Sequence, residues 1–221
     1  MYSLDKTPGG FAVTDQDIVD KLSVTRAKIE AVTAGPVVIA ITSARLTDGA
    51  DLLGSSLAKS LSGVGRDVLL LCSRATPVAP EPRRIGIREG NDSGPSVIAL
   101  AGSYSFDAAQ AAYEEYRSRF AFTVVCAGPA AKNGSALSLA CAADFVLIAV
   151  EQGRSSREDD RELARVLNAA NAKTFGVVTI DRKTIRDFGR KASEMSFSVF
   201  PSRVDLDDTV ARSASFAAKT G

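Results

Sequence analysis

Residues 36–71 read PVVIAITSARLTDGADLLGSSLAKSLSGVGRDVLLL, and this stretch decides the fold. Residues 37–42 are a nearly continuous apolar, β-branched run, which predicts a strand buried on both faces. RLTDGA turns through Gly49, and the segment from about Ala50 to Leu61 places Ala50, Leu53, Leu57 and Leu61 on one helical side. Gly54 leaves room there for a close neighbour, Gly63 and Gly65 close the helix, and Asp67–Leu71 begins a second apolar strand. Strand, loop, helix, strand is the opening of a parallel α/β domain.

The same alternation continues outward. Upstream, residues 15–34 predict a helix with Ile18, Leu22, Ile29 and Val32 spaced by turns, ended by Gly35-Pro36; residues 1–14 read as a flexible arm. Downstream, strands are expected at Ser96–Leu100, Ala121–Cys126, Phe145–Val150 and Thr174–Ile180. Helices are expected at about Phe106–Arg119, with Ala108, Ala112 and Tyr116 inward, at Ala136–Ala142, and after Ser155 or Ser156 with Leu163, Val166 and Leu167 inward. Residues 73–95 are rich in proline, arginine and glycine and read as a long surface excursion with a short extended piece at Arg84–Ile87. Helix at Arg182–Met195, an edge strand at Phe197–Phe200 and a last helix at Asp207–Lys219 complete the pattern. The expectation is one α/β domain over residues 15–221: three layers, a mostly parallel sheet, helices on both faces.

Composition limits the chemistry. The 221 residues suffice for one α/β domain with a sizeable core. Hydrophobic residues make up 45% and charged residues 24%, and the net charge of +1 gives no electrostatic case for nucleic acid or a membrane surface. Histidine is absent, which removes histidine-based triads and histidine-ligated metals. Cys72, Cys126 and Cys141 form no C-x-x-C pair and suit a reducing cytoplasm. No apolar run is long enough to span a bilayer, so direct membrane insertion is not expected.

The loop at 44–51 stands where nucleotide-binding proteins keep a phosphate loop, a place that needs backbone amides and a cation. Here it holds Thr47, Asp48, Gly49, Ala50 and Asp51, with no lysine and two carboxylates. Cys72 and Cys126 fall at the C-terminal ends of strands, where open α/β sheets place their sites. They read either as buried apolar cysteines or as a redox or thiolate pair. Arg74, Arg83, Arg84 and Arg88 form a basic cluster that is either a solvated loop or a contact for an acidic partner.

TSARLTDGADLLGSSLA followed by VLLLCSR resembles the deviant P-loop ATPases of the MinD/ParA group. Within that group it resembles the cytoplasmic kinase domain of the bacterial polysaccharide tyrosine kinases (BY-kinases), which read T-S-A-x-P-G-E-G-K-S-T-x-A-x-N-L-A and then V-L-L-I-D-x-D. FAFTVVCAGPA is similar to that family's second acidic strand. ACAADFVLIAVEQGRSSREDDRELARVLNAANAKTFGVVTI is similar to its A-D-x-V-L-L-V-V strand, helix and G-V-V-L-N strand. The resemblance spans residues 36–180 and implies a P-loop NTPase-like fold.

The departures from the family pattern imply a degenerate nucleotide site. Ala50 occupies the lysine position and Asp51 that of the Mg²⁺-binding hydroxyl. Thr47 replaces the first loop glycine, and Cys72, Arg74 and Cys126 stand at the acidic positions. No tyrosine follows Tyr116, so the acceptor cluster for autophosphorylation is absent. The resemblance therefore implies a catalytically inactive scaffold or regulator, without cofactor, in exopolysaccharide biosynthesis or export. Its expected partner is a protein such as a membrane-embedded co-polymerase, its expected place the cytoplasm, peripheral to the inner membrane through that partner, with homo-oligomerisation left open. The alternative is a weak nucleotide or phosphometabolite binder, or an ATPase or kinase with altered metal use that takes ATP and Mg²⁺, in which Arg45, Arg74 or Arg154 supplies positive charge for the anion.

Overall fold

In chain order, α1 (Ser23–Val32), β1 (Val37–Ser43), α2 (Ala50–Ser62), β2 (Val68–Arg74), β3 (Arg83–Arg88) and β4 (Ser96–Ala101) are followed by α3 (Phe106–Arg117), β5 (Phe122–Gly128), α4 (Gly134–Cys141), β6 (Phe145–Glu151), α5 (Arg157–Ala169) and β7 (Thr174–Ile180). The structure is a computed structural model that describes residues 22–74, 83–88, 94–153, 157–181 and 183–187. The expected arm at 1–14, the start of the first helix, the strand at 197–200 and the final helix lie outside the described residues; of the helix expected at 182–195, residues 183–187 are described and are helical.

The strands form one sheet in the order β3-β4-β2-β5-β1-β6-β7. All neighbours are parallel except β3 and β4. β1 is interior, between β5 and β6; every one of its residues is buried, and its side chains alternate between two cores. Val38 and Ala40 join Leu69, Leu71, Val125 and Val146 under α3, α4 and α5. Val37, Ile39 and Ile41 join Leu70, Val124 and Leu147 under α1 and α2. This explains the unbroken apolar runs: a strand covered on both faces has no solvent side to carry polar residues. The sheet is the three-layer α/β fold read from the sequence.

Two local expectations are refined. Within 73–95 the extended piece is a full edge strand, with Arg84 opposite Leu100, Ile85 opposite Ala99 and Ile87 opposite Ile98. The register slips between Ile85 and Ile87, so Gly86 sits in an irregularity. An arginine-bearing, interrupted strand suits a sheet edge, where a flat apolar strand would invite pairing with another chain. In α3 the buried positions are Ala109, Tyr113 and Tyr116, with Ala108 and Ala112 at the flank. The large tyrosines take the centre of the contact, and the Tyr113 hydroxyl is buried while donating to the Leu139 carbonyl at 2.9 Å.

α2 lies close on the sheet because Gly54 has no side chain. A Cβ built there would stand 2.3 Å from the Cys126 Sγ, inside any permitted contact. α1 rests on α2 through fully buried Ile29, and Arg26 donates to the Ser60 carbonyl at 3.1 Å. No helix among the described residues is long and apolar enough to cross a membrane.

Candidate functional site

The C-terminal ends of β1, β5 and β6 and the start of α2 converge on the loop at 44–49. Thr42 joins two of these ends: its hydroxyl donates to the Gly128 carbonyl at 2.7 Å and accepts from the Ala130 N–H at 3.2 Å. The Ser43 hydroxyl donates to the Arg45 carbonyl at 2.7 Å. The loop then closes on itself. The Asp48 N–H donates to the Arg45 carbonyl at 3.2 Å, and the Asp48 Oδ2 accepts the Arg45 N–H at 3.0 Å. Leu46 and Thr47 are left exposed at the tip, while Asp48 is only 1% exposed.

That burial is electrically awkward. Desolvation pushes the Asp48 carboxyl above its ordinary range; the Arg45 amide and guanidinium pull it down, and the Asp160 and Glu151 carboxylates push it up further. Among the described residues, Asp48 Oδ1 and Asp160 Oδ1 are buried without a hydrogen-bond partner. Glu151, at the end of β6, is 2% exposed. These acids surround the place where a phosphate-binding site would need positive potential.

Arg45 pairs with the first turn of α5. Its Nε and Nη2 donate to the Asp159 Oδ2 in the first turn of α5, at 2.9 and 2.6 Å. Lys132 Nζ stands 3.8 Å from the other Asp159 oxygen. The hydrogen bond from Arg45 is the main reason the Asp159 carboxyl lies below the usual carboxylate range.

The remaining sequence-selected positions fall as follows. Gly49 precedes α2 with φ 82°, a left-handed conformation that favours glycine. A Cβ there would meet Ile180 Cδ1 and Ile185 Cγ1 at 3.1 Å each, so two isoleucines flank the entry to α2. Ala50 is 4% exposed and carries no charge toward the loop. Asp51 is exposed in the first turn of α2. Arg74 ends β2 with its backbone opposite Ala101. Cys72 and Cys126 face each other across β2 and β5. Arg154 lies outside the described residues. Among the described residues, no group of three or more His, Cys, Asp or Glu side chains is arranged to hold a metal ion.

The sequence reading did not connect Asp159, Lys132, Glu151, Asp160, Ile180 or Ile185 to this loop. By themselves Asp159 and Asp160 are simply acids in the first turn of α5, where they favour a helix N-terminus. Their approach to residues 45–48 depends on β6 lying beside β1, which no local pattern encodes.

At the other end of the sheet a cavity of about 460 Å³ opens beside Tyr113, Arg117, Asp144, Asn171 and Lys173. It is remote from the loop, and its arginine is structural: Arg117 NH1 is 2.8 Å from the Asp144 Oδ2 and donates to the Pro36 carbonyl at 3.2 Å. Asp144 in turn accepts the Val38 N–H at 2.8 Å and closes the entry to β1 and β6.

No protein-family model matches the sequence, and no curated protein does. Solved structures do match. The kinase domain of the Escherichia coli tyrosine kinase ETK is 13% identical with a TM-score of 0.64, over 81% of this chain and 84% of that one. The VpsO kinase domain is 16% identical with a TM-score of 0.62, over 75% of this chain and 95% of the other. The BceF tyrosine kinase domain is 16% identical with a TM-score of 0.55, over 74% and 76%. At such identities the likeness is one of fold, and the chain shares its α/β fold with these tyrosine kinase domains.

Proposed function

We propose that this chain is a catalytically inactive P-loop-like protein that acts through protein contacts, as a scaffold or regulator of exopolysaccharide assembly. The observation that carries the reading is the buried Asp48 carboxylate, which bonds back to the Arg45 amide within its own loop. A phosphate loop aims backbone amides and a cation at the ligand. Here a carboxylate occupies one of those amides, Arg45 is tied to Asp159, and the lysine position is Ala50. Acidic neighbours at Glu151 and Asp160 add repulsion toward any phosphate. In this reading the nucleotide site is degenerate and neither ATP nor Mg²⁺ serves as a cofactor.

The setting rests on resemblance. BY-kinase domains work with a polysaccharide co-polymerase, so the partner proposed is a membrane-embedded protein of that kind. The chain would then reside in the cytoplasm, peripheral to the inner membrane through that partner. The test is calorimetric titration of the full chain with ATP, ADP and GTP, with and without Mg²⁺. The expected result is no saturable heat and no thermal shift up to millimolar nucleotide. Saturable binding, above all with Mg²⁺ dependence, would overturn the reading and require a search for turnover.

A further inference from the structure

Two thiols meet where β2 and β5 end. Cys72 stands opposite Cys126 in the parallel pairing, and neighbouring strands run about 4.8 Å apart. Disulfides join residues whose Cα atoms are roughly 4.4–6.8 Å apart. Both side chains are on the α2 face: Cys126 belongs to that core and Cys72 packs against it. Cys141 ends α4, whose buried residues Ala136, Leu139 and Ala140 belong to the opposite core.

Exposure separates the two sulfurs. Cys126 is 1% exposed, and its thiol is pushed well up, first by its hydrogen bond to Cys72, then by burial and by the charges of Cys72 and Asp51. Cys72 is half-buried. The thiolate is the nucleophile in thiol chemistry, and access governs which one reacts. Cys72 is therefore the sulfur an oxidant reaches first, with Cys126 held beside it as the resolving thiol.

We propose that Cys72 and Cys126 are an oxidisable dithiol, closed to a disulfide by hydrogen peroxide. The Cys72 thiolate attacks one peroxide oxygen, the O–O bond breaks, and hydroxide leaves, so Cys72 becomes a sulfenic acid. The Cys126 sulfur then attacks the Cys72 sulfur. The S–S bond forms, the S–O bond breaks, and the oxygen leaves with the Cys126 proton as water. Two thiols lose two hydrogens and one peroxide is reduced to two waters. Drawing the Cys126 sulfur toward Cys72 moves the atom on which Gly54 sits, so oxidation alters the seat of α2 and of the loop before it.

The test treats the full chain with hydrogen peroxide, alkylates it under denaturing conditions and digests it with trypsin. The three cysteines fall in separate peptides, residues 67–74, 120–132 and 133–154. The expected product is a 67–74 to 120–132 linked peptide, lighter by two hydrogens than the two reduced peptides together and separated by dithiothreitol. Cys141 remains alkylated, and Cys141→Ser gives the same link. In Cys126→Ser, Cys72 should be trapped as a sulfenic acid by dimedone, with no linked peptide. Should that variant not fold, Cys72→Ser must leave Cys126 unoxidised at the same dose. The proposal is overturned if both peptides stay alkylated after peroxide, if Cys72 goes to sulfinic acid beside an intact Cys126, or if the link runs to Cys141.

Discussion

Two carboxylates mark the two ends of β1, and they are served very differently. At the entry, Asp144 accepts the Val38 N–H at 2.8 Å and lies 2.8 Å from the Arg117 guanidinium. At the exit, Asp48 accepts one amide, keeps a buried oxygen without a hydrogen-bond partner among the described residues, and shares its surroundings with Glu151 and Asp160. The entry is built for stability: amide, carboxylate and cation satisfy one another. At the exit the acids crowd one another, and one buried Asp48 oxygen goes without a hydrogen-bond partner among the described residues.

The largest effect is expected from breaking the entry. Asp144→Ala leaves the Val38 amide and Arg117 without their shared acceptor, and a lost partner of this kind costs about 1–3 kcal/mol. Urea denaturation should show a lower midpoint with an unchanged slope. Asp144→Asn, which keeps an acceptor for the amide, should restore part of the loss. An Asp144→Ala chain as stable as the parent would show that the two ends do not differ as described.

Asp48→Asn should move stability the other way. Because the folded carboxyl is raised, the folded state prefers the proton, so the ionised form weakens folding above the raised value. The uncharged amide removes that penalty and still offers an oxygen to the Arg45 N–H. The variant should melt higher than the parent at neutral pH, and the gap should close as the pH falls toward the ordinary carboxylate range and the parent carboxyl takes up its proton. A variant that melts lower than the parent at neutral pH and converges with it in acid would mean that the charge itself holds the loop.

Arg45→Ala is expected to do least. The Arg45–Asp159 pair is partly exposed, and surface pairs contribute little to stability. Its signature is in the pH profile: Asp159 is held low by Arg45, so the pair's contribution is present above the ordinary carboxylate range and is lost only as the pH falls below it. Melting curves of parent and variant should therefore differ slightly at neutral pH and converge in acid.

The contrast also explains what could be read from the sequence. Strands β1, β5 and β6 were legible because two-sided burial forces continuous apolar runs. β3 was only partly legible: its two alternating isoleucines, Ile85 and Ile87, sit within a proline-, arginine- and glycine-rich stretch, and the strand is defined by the β4 edge beside it. At the site, the identities of Ala50, Asp51, Cys72 and Cys126 were plain in the alignment to the P-loop pattern. The inward turn of Asp48 and the Arg45–Asp159 pair were not, because hydrogen bonds across distant segments leave no spacing in a chain. In α3 Tyr116 is buried as its spacing predicts, while Ala109 and Tyr113 take the inner positions expected of Ala108 and Ala112, because the bulk of Tyr113 decides the contact.

The strand order has one more consequence. β1 is the first of the described strands, yet it does not pair with the next one, β2: its partners begin at Phe122 and Phe145. During synthesis this buried apolar strand waits, unpaired, until β5, which begins at Phe122, has also left the ribosome. Long-range parallel pairing of this kind is slow and exposes aggregation-prone edges. Early release of a truncated chain, before β5 and β6 arrive, leaves β1 without a neighbour and makes it a substrate for chaperones.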